Sequence, residues 1–271
     1  MRAISFFQKK QIPKKHLARR EYREKKKNKK LFLFILIFFL ILIFGTIWLI
    51  FFSPYLKIKF ISFEIKDYPL VKIDENELKI EINKILSEKF YFLTFDNILF
   101  FPKEKINNFL LSDKKIEKFE IKRKFPNEIK IKVFAWQPIA IFSWHDRYSL
   151  LNKNGEIIKD IEIGEAILTN LPIIYNKTEK GMAAIPFISL FDFLKKTNGF
   201  NFKINSIEII EEKNFLTYQG ITSEKWKIYF NPNINLNEQI NNLQLVIQEK
   251  ISDRKNLQYI DLRFGNRVFY K

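Results

Sequence analysis

Hydrophobic residues fill one long segment near the N-terminus and then change to short alternating runs. Residues 31–52 read LFLFILIFFLILIFGTIWLIFF and contain no charged side chain. A helix of this length rises roughly 33 Å, which matches a hydrocarbon core of about 30 Å. Only Gly45 and Thr46 interrupt the apolar run, and a soluble helix has no need to be apolar on every face. The segment is therefore predicted to be a single transmembrane helix.

After this span, short apolar runs predict a small α+β unit. Alternation over residues 56–66 changes phase after Phe60, which predicts a strand with a bulge. Asp74, with a glutamate three residues later, favours a helix start, and so does Pro102. Two alternating runs around an Asn-containing turn predict two further strands. The predicted order over residues 53–136 is strand, helix, helix, strand, strand.

The rest of the chain, residues 137–271, reads mostly as strands. Strands are predicted at residues 139–144, 148–151, 157–161, 204–210, 215–218, 226–230, 259–264 and 267–270, and helices at residues 185–196 and 236–251. The pattern predicts an α+β fold with a β-rich C-terminal domain.

Positive charge is concentrated before the span. The chain carries 47 Lys and Arg against 30 Asp and Glu, a net charge of +17, of which +11 lies in residues 1–30. By the positive-inside rule this tail is cytoplasmic and the C-terminal bulk is extracytoplasmic. The tail is predicted to be disordered or to lie along anionic headgroups. Because the rest of the chain has only modest excess charge and lacks basic motifs with interleaved aromatic residues, nucleic-acid binding is not predicted.

Candidate chemistry is sparse. The chain has no cysteine, which excludes disulfides, thiolate metal sites and a Cys nucleophile. Ser143, His145 and Asp146 contain the residue types of a hydrolytic triad, but neighbours in one short turn point in different directions. Glu211 and Glu212 read as a solvated strand end rather than as paired carboxylates in a cleft. We therefore predict no catalytic residue, no cofactor and no metal.

A motif around residues 116–140 resembles part of a known family. Its residues are Ile121, Arg123, Pro126, Ile129, Ile131, Val133, Pro138 and Ala140. They resemble the last two strands of a POTRA domain and its junction in the bacterial division proteins of the FtsQ/DivIB family. Three positions depart from the family pattern. Ile65-Lys66 stand where the first POTRA strand usually ends in Gly, Ala135-Trp136 replace Glu-Arg, and Asn152 replaces Asp.

Downstream motifs extend the resemblance. Tyr148, Leu150, Leu151, Asn152, Gly155 and Ile157 are similar to a family hairpin, and residues 171–174 are similar to its Leu-Pro step. The run YIDLRF at residues 259–264, with Val268, is similar to its closing strands. The similarity covers the whole chain: a basic tail at residues 1–30, a span at 31–52, a POTRA-like βααββ domain at 53–136 and a β-rich domain at 137–271.

The resemblance implies a non-enzymatic divisome component in the cell membrane at the division septum. Such proteins bind the FtsB/DivIC–FtsL coiled-coil pair and help to position septal peptidoglycan synthesis. The implied partner edge lies on Tyr259–Tyr270, where the terminal strand, Arg267–Tyr270, could accept a strand from a partner. The implied partner-binding residues are Arg263, Phe264, Arg267, Val268, Phe269 and Tyr270.

Other interpretations stay open at this stage. Core packing is the alternative role for Tyr259, Ile260 and Leu262, and a structural ion pair is the alternative for Asp261 and Arg263. For the whole protein, the alternatives are a membrane-anchored cell-wall enzyme and a POTRA-bearing secretion or assembly component.

Overall fold

The computed structural model describes residues 14–90, 93–212, 215–251 and 253–271. The helices are α1 (Lys14–Phe52), α2 (Glu75–Ser87), α3 (Lys103–Ser112), α4 (Ile163–Ile167), α5 (Phe187–Thr197) and α6 (Leu236–Leu245). The strands are β1 (Phe60–Lys66), β2 (Lys89–Phe90), β3 (Leu93–Thr94), β4 (Ile116–Lys124), β5 (Glu128–Ala135), β6 (Ala140–Trp144), β7 (Arg147–Leu151), β8 (Ile157–Ile161), β9 (Ile173–Asn176), β10 (Ile204–Glu212), β11 (Phe215–Thr222), β12 (Lys227–Phe230), β13 (Tyr259–Phe264) and β14 (Arg267–Tyr270). A 3₁₀ turn, Met182–Ala184, precedes α5, and a π-helical turn, Val246–Lys250, continues α6.

Helix α1 is longer than the predicted span. Its part Lys29–Phe52 is long and apolar enough to cross a membrane, and its most apolar window has no buried residue. This part fits a single-pass membrane anchor. Residues 1–13 of the basic tail lie outside the described residues, but residues 14–30 are helical, so the prediction of disorder is wrong there. Lys, Arg and Glu are good helix formers, and the span supplies the nucleus from which the helix extends.

The first folded unit has the predicted strands and helices in the predicted order, and a short two-stranded hairpin, β2-β3, which was not predicted, lies between the two helices. Its three-stranded sheet has the order β1-β5-β4, with β1 parallel and β4 antiparallel to the central strand. The Asp74 carboxylate caps α2 by accepting from the Asn76 amide at 2.8 Å, as expected of a helix N-terminus. Helices α2 and α3 bury one apolar face against the sheet, through Leu78, Ile82, Leu86, Ile106 and Leu110.

The predicted bulge in the first strand is wrong. The register of β1 against β5 runs without a shift from Phe60 to Lys66. Lys57 forms an isolated antiparallel bridge with Asn97, whereas the amides of Lys59 and Phe60 both donate to the Asn127 carbonyl, just before β5. The phase change in the sequence therefore lies close to the point at which the chain exchanges one pairing partner for another.

The second folded unit is built on a nine-stranded sheet with the order β14-β13-β12-β11-β10-β9-β6-β7-β8. Strand β9, which was not predicted as a strand, lies in the interior of this sheet and is parallel to both β6 and β10. Helix α4 was also not predicted. The two C-terminal strands have the predicted bounds.

Helices α5 and α6 cover one face of the large sheet. Most strands of the sheet contribute buried residues to this core, and so do Leu190 and Phe193 of α5 and Leu243 of α6. The rings of Phe193 and Phe230 stack with centroids 3.8 Å apart. Burial of this many large apolar side chains stabilises the β-rich unit without any disulfide.

The other face of the large sheet shares a core with the first unit. Ile141 and Leu150 of the large sheet belong to the same buried cluster as Ile129 and Val133 of β5. At the rim, the Lys153 ammonium lies 2.9 Å from a Glu117 carboxylate oxygen. The boundary predicted between residues 136 and 137 falls in the connection between β5 and β6, and the two sheets pack together next to it.

Candidate functional site

The hairpin of β13 and β14 forms one edge of the nine-stranded sheet. Strand β14 is last in the order, and within the described ranges no strand lies on its outer side. Its turn pairs Phe264 with Arg267 and contains Gly265 at φ 62°. A two-residue hairpin turn favours glycine at such a position because residues with a Cβ adopt positive φ only at a cost.

The hydrogen-bond register determines which backbone groups face outward. Lys271 and Tyr259 exchange main-chain hydrogen bonds, with N···O distances of 3.2 and 3.3 Å. Bonded and non-bonded pairs alternate along an antiparallel ladder, so the next pair, Ile260 and Tyr270, is non-bonded. The N–H and C=O of Tyr270 therefore point away from β13, as do those of Val268 two residues earlier. These groups are available to a further strand.

Aromatic side chains surround this open edge. Phe264, Phe269 and Tyr270 are 56%, 49% and 48% exposed. The rings of Phe264 and Phe269 meet edge to face with centroids 5.3 Å apart. Val268 instead packs partly against the core, and Arg267 is exposed. The edge thus combines unpaired backbone groups with exposed apolar area, which is typical of a site for another protein segment.

Arg263 is half-buried, and contacts within the chain hold its side chain. Its Nε and Nη2 donate to the two carboxylate oxygens of Asp261 at 2.9 and 2.6 Å. Its Nη1 also donates to Thr217 Oγ1 at 3.3 Å, and its Cζ lies 5.0 Å from the centre of the Tyr229 ring. The hydrogen bonds to Asp261 raise the pKa of Arg263 above its usual value. A bidentate pair of this kind fixes the side chain, in agreement with the structural-pair interpretation.

Other residues of the hairpin anchor it to the core. Ile260 and Leu262 are buried at 0% and 1% exposure, in agreement with the core-packing interpretation. The Asn242 side-chain amide on α6 donates to the Gly265 carbonyl at 3.0 Å. Asn242 is not among the site residues predicted from the sequence. The available signal was a polar residue one position before the buried Leu243 on an amphipathic helix.

The junction motif lies in the first unit and its connection to the second. Ile129, Ile131 and Val133 are fully buried on β5, and Pro138 is buried in the connection. Ile121 is half-buried on β4, and Pro126 is exposed at the turn before β5. Most of the motif therefore builds core rather than a surface site.

Arg123 of the same motif contacts the connection between β3 and α3. Its Nη1 donates to the Leu99 carbonyl at 3.3 Å. Its Cζ lies 5.7 Å from the centre of the Phe101 ring, within the range of a cation–π contact. This side chain therefore ties β4 to a connection that precedes α3.

The residues with possible hydrolytic chemistry do not form a site. Ser143 is buried on β6, while His145 lies in the following turn, stacks on Trp144 and has its Nε2 3.8 Å from a Glu179 oxygen. Within the described residues, no hydrogen bond links Ser143, His145 and Asp146. Their sequence proximity therefore does not become the convergent geometry that a triad requires.

The neighbouring carboxylates are engaged separately. Glu211 forms an ion pair with Lys180 at 3.0 Å, and Glu212 approaches Arg263 at 3.7 Å. The two glutamates therefore serve different surface contacts instead of lining one cleft as a catalytic pair.

Sequence comparisons relate the chain to known proteins. Residues 143–263 match the family model described as the C-terminal region of cell division protein FtsQ/DivIB. The match ends one residue before Phe264, so β14 lies outside it. The chain is also 24% identical over 221 residues to a protein named cell division protein DivIB from Clostridium acetobutylicum, and the alignment covers 80% of this chain and 83% of that protein. The match to the β-rich region, the apolar anchor and the α+β architecture together support the FtsQ/DivIB family of cell division proteins as the one to which this chain is similar.

Proposed function

We propose that the protein is a non-enzymatic division scaffold that binds the FtsB/DivIC–FtsL coiled-coil pair through β14. One observation carries the proposal. The sheet ends in a strand whose outer N–H and C=O groups, at Val268 and Tyr270, have no intramolecular strand partner in the described part of the chain. Unpaired strand edges are sites at which another chain can pair.

In strand addition, the backbone and the side chains make different contributions to binding. A partner segment in extended conformation pairs with the outer N–H and C=O groups, and these hydrogen bonds supply affinity independently of sequence. Side chains on alternate positions of the partner then contact Phe264, Phe269 and Tyr270, which supplies specificity. Arg267 adds a charge at the rim of the same edge.

The membrane anchor determines where this contact occurs. The basic tail stays in the cytoplasm by the positive-inside rule, so both folded units are extracytoplasmic at the division septum. Binding of the coiled-coil pair there holds it next to the enzymes of septal peptidoglycan synthesis and helps to position them. Protease added to intact spheroplasts should digest the folded units; a protected C-terminal part would contradict this orientation.

A proline at the outward-facing amide tests the pairing itself. We expect Tyr270→Pro to weaken binding of the purified coiled-coil pair by about tenfold or more relative to Tyr270→Ala, because both variants lose the ring but only proline removes the outer N–H. The inner ladder keeps its bonds, since the Tyr270 N–H does not face β13. The measurement is Kd by biolayer interferometry, with circular dichroism to verify folding. Equal Kd values for the two variants would remove the strand-addition mechanism.

A further inference from the structure

The connection between β3 and α3, residues 95–101, contacts the C-terminal end of the membrane helix. The Asn97 side-chain amide donates to the Ile50 carbonyl at 2.7 Å. The rings of Phe100 and Phe51 stack face to face, with centroids 4.4 Å apart and planes 12° from parallel. We call residues 95–101 the anchor loop. It joins the first folded unit directly to the last turn of α1.

Backbone pairing reinforces this attachment. The Ile98 amide donates to the Leu56 carbonyl at 2.9 Å, and the Ile58 amide donates to the Asp96 carbonyl at 2.6 Å. The Lys57 ammonium lies 3.1 Å from the Asp96 carboxylate. The segment that follows α1 is therefore paired with the anchor loop, so the folded unit begins immediately at the end of the helix.

Asn97 satisfies a backbone group that the helix leaves open. The last carbonyl groups of a helix find no N–H donor within the helix. A carbonyl left without a hydrogen bond at the edge of a bilayer costs free energy. Asn97 is only 5% exposed, and its Oδ1 accepts from the Leu99 amide at 2.9 Å. One buried side chain thus connects the helix end to the loop backbone and sets how deep the loop lies.

The depth of the anchor loop relative to the membrane span indicates what the loop contacts. Phe51 is the last but one residue of the apolar part of α1. Because Phe100 stacks on it face to face, Phe100 lies at the same depth as the end of the span. Phe100 and its neighbour Leu99 are 46% and 38% exposed, although both flanking side chains, Ile98 and Phe101, are buried at 0% and 5%. Two apolar side chains thus face outward at the level where the helix leaves the bilayer.

The surroundings fit the polar–apolar boundary of a bilayer. Trp48 and Tyr55, near the same end of α1, are 62% and 77% exposed, and aromatic residues are enriched at membrane–water interfaces. Cationic side chains border the loop: Lys57 pairs with it, and Arg123 donates to its Leu99 carbonyl. In such an arrangement the apolar side chains of the loop can contact acyl chains, while the neighbouring cations lie at the level of the lipid headgroups.

We propose that the anchor loop is a lipid-binding element, with Leu99 and Phe100 inserted into the interfacial zone of the leaflet at which α1 ends. The proposal rests on α1 being the membrane anchor and does not depend on partner binding. Its consequence is that the folded units have a fixed position against the membrane surface, which sets the height at which the open edge meets a partner.

Site-specific fluorescence in lipid tests the proposal on the full chain. The protein has no cysteine, so Phe100→Cys and, separately, Leu99→Cys give single labelling sites for an environment-sensitive dye. The labelled proteins are reconstituted into vesicles of phosphatidylcholine and phosphatidylglycerol, with and without lipid that carries a quencher at the upper part of its acyl chain. We expect blue-shifted emission and loss of fluorescence at both positions.

Two matched variants calibrate this result. Phe52→Cys reports the end of the span, and Leu111→Cys reports an apolar position on α3 that is 70% exposed. We expect quenching at positions 99 and 100 close to that at 52, and none at 111. If 52 is quenched while 99 and 100 match 111, the loop does not enter lipid, although the anchor and the partner-binding proposal stand. If 52 is also unquenched, the anchor itself is wrong and this proposal fails with it.

Discussion

The two edge strands of the nine-stranded sheet, β8 and β14, differ in the side chains that they expose to solvent. Strand β8 carries Lys159, which approaches Glu165 at 4.0 Å, and Asp160, which accepts from Ser149 at 2.6 Å. Strand β14 carries one charged residue, Arg267, and half-exposed Phe269 and Tyr270. One edge is therefore charged and engaged with its own unit, and the other is aromatic and open.

This difference favours β14 over β8 for the proposed contact with a partner. Natural sheets protect edges with charges and short strands because unprotected edges aggregate. Strand β8 also turns its buried Ile158 and Ile161 toward the core shared with the first unit, which holds it against that unit. An open edge retained at β14 while the opposite edge is protected is the pattern expected if β14 is used for binding.

Deleting residues 265–271 should have the largest effect. The deletion removes β14 with its outer backbone groups and two of the three exposed aromatic rings. It also removes the Lys271 carbonyl that accepts from the Gln258 and Tyr259 amides. We expect the protein to remain folded and membrane-inserted but to lose capture of the coiled-coil pair in a pull-down from detergent extract. Capture at the level of the intact chain would show that the partner binds elsewhere.

Removing one exposed apolar side chain from each edge region should separate the two edges more finely. We expect Phe269→Ala to weaken partner binding by about 1–2 kcal/mol, roughly 5- to 30-fold in Kd, because exposed aromatic residues commonly anchor interfaces. Ile167→Ala, beside β8, removes an apolar side chain that is 71% exposed and should leave Kd unchanged. Calorimetric titration of both variants measures the contrast, and equal losses would remove the distinction between the edges.

The smallest expected effect is on stability, at the charged edge strand β1 of the three-stranded sheet. Glu64 on β1 lies 2.8 Å from Lys130 Nζ and 3.0 Å from Lys132 Nζ. Hydrogen bonds from these two lysines lower the pKa of Glu64 from 4.5 to about 2. A carboxylate with a lowered folded-state pKa stabilises the fold above its unfolded-state pKa, and that stabilisation is lost as pH falls toward the folded value.

We therefore expect Glu64→Gln to lower the melting temperature slightly near neutral pH, because exposed ion pairs contribute little. The difference from the unsubstituted protein should shrink as pH falls from 4.5 toward 2. Glu120→Gln, which removes a single 3.5 Å contact with Lys122, is the control. A difference that stays constant down to the lowest pH would mean that the lysine contacts do not stabilise this sheet edge.

Much of the fold follows from local pattern. The alternation at residues 259–264 and 267–270 predicts both strands of the C-terminal hairpin with the observed bounds, because one face of each strand must be apolar. Asp74 and Pro102 mark the starts of α2 and α3 as expected. By contrast, β9 is only four residues long and has no alternation to distinguish it from a loop. Its parallel neighbours on both sides are what make it a strand.

The site was predictable only in part, since its decisive contacts join distant residues. That a terminal strand can expose an edge follows from its position in the chain. The pairing of Arg263 with Asp261 is local to β13 and is one of the interpretations that the sequence offers, whereas its contact with Thr217 depends on how β11 and β13 are arranged in the sheet. The anchor loop is a stronger example, because Asn97 and Ile50 are 47 residues apart and nothing in the local sequence of either indicates the other.

Hydrogen exchange on the complex tests the central claim most directly. When the coiled-coil pair is added at saturating concentration, the amides of Val268 and Tyr270 should exchange more slowly, because they gain acceptors on the partner strand. The amides of β8 should keep their free-state rates. Formation of the complex with unchanged exchange at Val268 and Tyr270, or with protection at β8 instead, would contradict strand addition at the open edge.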